Sequence, residues 1–278
     1  MSILLFTLIL LAGAFVAGLL GSLTGLGGGV VLIPLLTLVF DVDIRYAIGS
    51  ALVASIATSS GSAAAYIKEG ITNIRIGMFL EIATTTGAII GALIAIYTAT
   101  HIVAIIFGIV LLFSAMMSMR KKNEVAETEE KSLLARRLKL NGSYPSKEGI
   151  VEYKVQRVAG GYALMTLAGV ISGLLGIGSG ALKVLAMDTV MRVPFKVSTT
   201  TSNFMIGVTA AASAVVYLQR GYIDPGLAMP VVIGVLGGAF AGSRILVGAS
   251  TKKLRILFSI VISFLALEMI YNGLMGNL

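Results

Sequence analysis

Apolar residues run along this chain in long stretches, and the polar residues collect in short breaks between them. The longest stretches are Ile3–Leu20, Ile76–Tyr97, Ile102–Met119, Gly226–Val247 and Ile256–Ile270. Runs of this length with almost no charge are the mark of helices that cross a bilayer. Read against the breaks, the pattern predicts five segments in each half of the chain. The first set is roughly 3–22, 28–40, 47–67, 76–97 and 102–119; the second is roughly 158–174, 180–191, 197–218, 226–247 and 254–275. The segment at the start has no basic residues before it and is read as a retained helix rather than a cleaved leader.

The halves are copies of one unit. Gly18–Gly29 reads GLLGSLTGLGGG and Gly169–Gly180 reads GVISGLLGIGSG, so at an offset of 151 Gly18, Gly25, Gly27 and Gly29 fall on Gly169, Gly176, Gly178 and Gly180. The same offset carries Tyr66 onto Tyr217, Gly70 onto Gly221, Gly87 onto Gly238 and Gly91 onto Gly242. The expected organisation is a first transmembrane repeat (1–119), a linker loop (120–157) and a second transmembrane repeat (158–278). The linker is hydrophilic; its Gly-Ser-Tyr-Pro stretch at 142–145 reads as a turn and KSLLARRLKL as a short surface helix. The expected fold class is all-α and integral to the membrane.

Composition agrees with lipid as the solvent. The 278 residues are 57% hydrophobic and 12% charged, with a mean hydropathy of +0.97; a soluble chain carries about twice that charged fraction. Without cysteine, thiolate chemistry and disulfides are excluded, and the single histidine, His101, excludes a multi-histidine metal site within one chain. No catalytic residues, cofactor or metal are therefore expected. The net charge of +8 does not indicate nucleic acid, because it sits in loops between apolar segments.

The position of that charge orients the chain. If all ten segments cross, or the first two of each half dip in and return together, 18 Lys and Arg residues fall on the linker side and only Arg45 and Arg220 on the other, with Lys183 inside a segment. Positive charge stays in the cytoplasm, which predicts a multi-pass protein of the plasma (inner) membrane with a cytoplasmic linker and both termini outside. An odd number of crossings per repeat then makes the repeats inverted, the arrangement used by many secondary transporters.

Segments 28–40 and 180–191 are too short to span about 30 Å of hydrocarbon at about 1.5 Å per residue, and each follows a glycine-rich turn. Such broken helices at matching positions of two halves point to a binding site near the midplane. Glycines admit a ligand close to the backbone, and the helix start behind them offers free N–H groups, so the favoured ligand is a small anion. The candidate binding residues are Thr24, Gly25, Gly27, Gly28, Gly29, Ser50, Gly176, Gly178, Ser179, Gly180, Lys183, Thr201, Ser202 and Asn203. Lys183, whose repeat counterpart is Leu32, is a candidate counter-charge for the anion or half of a proton relay with Asp188. Glu81 and Glu268 are weaker candidates. Close helix packing explains the glycines and small hydroxyls equally simply, and snorkelling to an interface would explain the lysine.

The motifs GSLTGLGGGVVLIPLL at 21–36 followed by AIGSALVAS at 47–55, and SGLLGIGSGALKV at 172–184 followed by KVSTTTSNF at 196–204, resemble the sulfite exporter TauE/SafE family, also called the toluene sulfonate uptake permease family. The resemblance covers nearly the whole chain outside 120–157. It implies a non-enzymatic, proton-coupled transporter of a small sulfur-containing anion such as sulfite, thiosulfate or an organosulfonate. It does not choose between import and export, and the residues alone leave open an anion channel or a carrier of another small anion such as a carboxylate. The expected partners are the anion and membrane lipid, in a monomer or homodimer, with no nucleic acid.

Overall fold

The computed structural model describes residues 3–24, 28–68, 70–119, 132–146, 149–246 and 251–276. In chain order they form α1 (Ile3–Thr24), α2 (Gly29–Pro34), α3 (Ile44–Lys68), α4 (Ile74–Tyr97), α5 (Thr100–Met119), the short α6 (Leu133–Arg137), the hairpin β1 (Gly142–Ser146) and β2 (Gly149–Tyr153), then α7 (Val158–Leu175), α8 (Gly180–Leu185), α9 (Phe195–Gln219), α10 (Pro225–Leu246) and α11 (Thr251–Met275). α2 and α8 each continue into a π-helical stretch, Leu35–Val39 and Ala186–Val190.

The fold is nearly all-α, and the exception corrects one expectation. Gly142–Ser146, read as a turn from its Gly, Ser and Pro, is instead a strand paired antiparallel with β2, Gly142 opposite Tyr153 and Ser146 opposite Gly149. A two-stranded ribbon has a free edge on each strand, where the missing N–H of Pro145 costs no ladder bond. The Tyr144 and Tyr153 rings meet across the ribbon at 6.3 Å, tilted by 52°. The surface helix expected in KSLLARRLKL forms as α6, capped by Ser132, whose hydroxyl accepts from Ala135 N.

The sequence offset reappears in the elements. α2, α3, α4 and α5 begin at 29, 44, 74 and 100, and α8, α9, α10 and α11 at 180, 195, 225 and 251, each pair 151 apart. The turn-makers match too: Gly70 and Gly221 adopt φ of 69° and 75° just past α3 and α9, and Asp41 and Arg192 adopt 54° and 59° before them. Packing crosses between the two sets. α1 lies along α10 and α4 along α7, while the equivalent helices α3 and α9, and α5 and α11, pair with each other. α3 and α9 run antiparallel: a Cβ on Gly49, near the start of α3, would meet the Tyr222 carbonyl just past α9, whereas Ser59, further along α3, bonds Gly207 N. α5 and α11 do the same, with Gly273 against His101 and Ser259 donating to the Ala115 carbonyl.

Glycine allows the closest of these contacts. A Cβ on Gly18 would run into the backbone of Val235, and one on Gly169 into the backbone of Thr84, at positions again 151 apart. Small residues face inward, and large apolar ones such as Leu4, Leu8, Ile82, Ile90, Phe240, Phe264 and Leu267 face outward. That outward apolar surface suits lipid, not water. By length and composition α4, α7 and α9 are long and apolar enough to cross a membrane, and shorter apolar helices accompany them.

The two ends of the bundle differ. At one, Asn73 caps α4 through Ile76 N (3.0 Å) and donates from Nδ2 to Tyr153 Oη (2.7 Å) and the Leu140 carbonyl (3.2 Å), which ties the linker hairpin to the α3–α4 turn. A cavity of about 250 Å³ opens there, lined by residues of that turn and of the hairpin. At the other end Arg45 donates to the Thr98 carbonyl and lies over the Tyr222 ring, and Arg220 donates to Tyr97 Oη.

Candidate functional site

The start of α2 meets the second glycine turn inside the bundle. Gly29, the first residue of α2, lies so close to the second turn that a Cβ there would be 3.2 Å from the Gly176 carbonyl and 3.6 Å from Ile177 Cα. The second turn is wound left-handed, with φ of 68° at Gly176, 66° at Gly178 and 45° at Ser179. Side chains at Gly176 and Gly178 would meet Ile48 and Ile206, so the turn is fitted between α3 and α9. Ser179 is the exception to glycine in that conformation, which a non-glycine residue adopts at a cost. Gly28, its counterpart, has an ordinary helical φ of −65°.

Buried hydroxyls surround this meeting point. Ser50, Ser172 and Ser179 are buried, and none of their Oγ atoms has a hydrogen-bond partner among the described residues. Ser172 lies in the last turn of α7, Ser179 enters α8, and Ser50 precedes Ala51, whose methyl packs on Gly29. A buried hydroxyl is seldom left unpaired. Here three unpaired hydroxyls accompany the second glycine turn and two short helices whose first N–H groups have no intrahelical acceptor.

One turn beyond Ser179, Lys183 is completely buried. Its Nζ donates to Thr209 Oγ1 (2.6 Å), and that hydroxyl donates to Glu81 Oε1 (2.6 Å). Thr85 donates to the same carboxylate oxygen at 3.1 Å. Glu81 Oε2 is buried with no partner among the described residues. α4, α8 and α9 thus each contribute one member of a Glu81–Thr209–Lys183 chain. Among the described residues Glu81 and Lys183 are the only buried charged side chains. Lys183 N donates to the Ser179 carbonyl at 3.0 Å, so the lysine stands one helical turn past the glycine turn.

The family model for the sulfite exporter TauE/SafE family matches residues 10–269. The chain belongs to this family. It is 30% identical over 274 residues to the Probable membrane transporter protein YunE of Bacillus subtilis, covering 96% of this chain and 98% of that one. It is 24% identical over 283 residues to the Probable membrane transporter protein MJ0441 of Methanocaldococcus jannaschii, covering 96% of each. No solved structure matches it. A membrane transporter family and outward apolar helices together put the protein in a membrane.

The other candidates in this TauE/SafE chain are placed as follows. Gly180 starts α8, and its carbonyl accepts from Ser202 Oγ at 3.2 Å. Thr201 Oγ1 accepts from Asn73 N (3.1 Å), so that hydroxyl is already engaged at the linker end. Asn203 contributes its backbone carbonyl to Ser59 Oγ. Asp188 lies half-buried in the π-helical stretch after α8, and the hydrogen bond that Lys183 makes runs to Thr209 instead. Glu268 accepts from Asn272 one turn on in α11. Thr24 ends α1, while its side chain and residues Gly25 and Gly27 lie outside the described residues.

Sequence reasoning singled out Lys183 but passed over Thr209, and ranked Glu81 below it. A signal was present. At the repeat offset Lys183 and Glu81 fall on Leu32 and Val232, so both charges occur in one copy only. Two buried charges of opposite sign, each lacking a counterpart, are natural partners.

Proposed function

We propose that this protein is a secondary transporter that carries a small sulfur-containing anion, such as sulfite, thiosulfate or an organosulfonate, by alternating access coupled to protons. The observation that carries the reading is the meeting of Gly29 with the second glycine turn, beside the unpaired hydroxyls of Ser50, Ser172 and Ser179. Hydroxyl and backbone N–H donors in a space shielded from water favour an anion over a neutral solute. Lys183 provides the nearby positive charge.

The antiparallel pairing of α3 with α9 and of α5 with α11 supports inverted repeats, because equivalent helices of such repeats must oppose one another. Inverted repeats can rock about a site at their interface. The 18-to-2 division of Lys and Arg supports a cytoplasmic linker and outer termini. The choice of sulfur rests on family membership.

The test is a thermal-shift screen of purified protein against sulfite, thiosulfate, sulfate, alkanesulfonates, carboxylates and cations, followed by uptake in proteoliposomes. A ligand stabilises in proportion to its occupancy. Stabilisation by sulfur anions with saturable, proton-dependent uptake is the expected outcome. Response to cations alone would overturn the anion site, and non-saturating conductance would replace the carrier with a channel.

A further inference from the structure

We infer that Glu81 is the proton-binding group of this transporter, and that a proton on Glu81 and an anion at the glycine turns bind together. The inference rests on the anion-transport reading above and adds the place and the charge balance of the coupling.

The geometry of the buried chain leads to it. Glu81 Oε1 accepts two hydroxyls, from Thr85 and Thr209, while Oε2 accepts from none among the described residues. The residue is only 6% exposed. A carboxylate with an empty oxygen in such a place is costly, and the neutral acid much less so. Lys183 shows the complementary vacancy: its ammonium has three hydrogens, and Thr209 is the one acceptor within reach among the described residues.

Charge balance does the rest. With Glu81 ionised and Lys183 protonated the chain is neutral. A proton added to Glu81 leaves a net charge of one in a medium that tolerates it poorly. An anion at the glycine turn, one helical turn before Lys183, restores neutrality, and the ammonium has hydrogens free for it. Each ligand therefore raises the affinity of the other, and by the same factor. Leu32 in the first half and Val232 in the second occupy the positions equivalent to Lys183 and Glu81, so this device exists once in the molecule.

No other ionisable group on the neighbouring helices competes for the role. Tyr162 of α7 packs on Phe79, Tyr217 of α9 donates to the Gly173 carbonyl, Lys196 of α9 is exposed, and Asp188 follows α8 in the π-helical stretch. None of them hydrogen-bonds Glu81, Thr209 or Lys183 among the described residues.

Binding of methanesulfonate and of thiosulfate, which do not titrate near neutral pH, tests this by calorimetry in buffers of different ionisation heat. For wild type, methanesulfonate should bind with uptake of about one proton and more weakly as pH rises. Glu81→Gln should bind methanesulfonate at the tight limit at every pH and take up no proton, and Glu81→Asp should retain the uptake over a shifted pH range. Wild-type binding without proton uptake, or a Glu81→Gln protein with wild-type uptake and slope, overturns the coupling while leaving the anion site intact. If neither anion binds wild type at any pH, the anion reading itself falls.

Discussion

The two half-helices share a backbone plan and differ in chemistry. The first, Gly29–Val39, is lined with Leu32, packs near Val235 and is entered through Gly28 in a helical conformation. The second, Gly180–Val190, carries Lys183, reaches Thr209 and Glu81, and is entered through Ser179 in the left-handed region. Duplication preserved the glycine contacts and the helix lengths, which are set by how closely backbones pack. It did not preserve the polar residues: Lys183, Ser179 and Glu81 have Leu32, Gly28 and Val232 at the matching positions. The scaffold is therefore symmetric and the site is not.

The symmetric part breaks first and hardest. Gly18 and Gly169 occupy equivalent positions, each against the backbone of a partner helix that cannot step aside. Gly18→Leu and Gly169→Leu should each cost about 4 kcal/mol or more. Both proteins should fail to yield a folded peak on size-exclusion chromatography. One tolerated substitution and one lethal one would mean that the two contacts are not equivalent.

The asymmetric part can be converted into its symmetric counterpart. Removing one member of a buried ion pair costs about 3 kcal/mol, because the other is stranded. Lys183→Leu and Glu81→Val should each lower thermal stability by that order; Lys183→Leu should abolish stabilisation by anions, whereas Glu81→Val, which leaves the ammonium uncompensated, should keep it. The double variant Lys183→Leu with Glu81→Val gives each position the residue of its repeat counterpart, Leu32 and Val232. It should recover most of the lost stability, with an interaction energy of about 2 kcal/mol in the cycle, yet remain blind to anions. Additive losses would show that Thr209 does not couple the two charges.

The two kinds of feature were not equally legible in the sequence. The half-helices read as 28–40 and 180–191 form at 29–39 and 180–190, because glycine turns bound apolar runs too short to cross. Helix ends elsewhere shift by up to three residues, for instance α9 at Phe195 rather than 197, where Pro194 fixes the start. The Glu81–Thr209 contact joins residues 128 apart, and nothing local distinguishes Thr209 from hydroxyls that bond their own helix, such as Thr199 and Ser213. The hairpin was hidden for another reason. Gly-Ser-Tyr-Pro is turn chemistry, and only pairing with Gly149–Tyr153 makes it a strand.

A smaller effect separates the two equivalent helix starts at Asn73 and Asp224. Asn73 caps α4 and also holds the hairpin through Tyr153 and Leu140, whereas Asp224 is exposed and accepts only from Gly226 N among its side-chain contacts in the described residues. Burial pushes the Tyr153 phenol above its ordinary pKa, opposed by the Asn73 hydrogen bond, so it remains protonated and in place at neutral pH. Asn73→Ala should cost about 2 kcal/mol and Asp224→Ala about 0.5 kcal/mol in chemical unfolding. Limited proteolysis should cut the linker faster in the first variant alone. Equal costs would mean that the hairpin adds nothing to the cap.

The smallest effect is the most specific to the comparison, because its sign reverses between stability and binding. Ser179 holds a φ of 45° that glycine adopts freely, so Ser179→Gly should raise stability by about 1 kcal/mol. Gly28 has φ −65°, and a Cβ there needs only the end of Val235 to give way at 3.0 Å, so Gly28→Ser should cost less than about 1 kcal/mol. Together the two changes exchange the residues of the turns. If the Ser179 hydroxyl is kept for the anion, Ser179→Gly should bind it several-fold more weakly while melting at a higher temperature than wild type, and Gly28→Ser should not restore the loss. A strained residue that could be relaxed by one substitution, and is not, is retained for what its side chain does. Should Ser179→Gly gain stability and keep full anion affinity, the hydroxyl has no part in binding and the asymmetry of the site narrows to Lys183, Thr209 and Glu81.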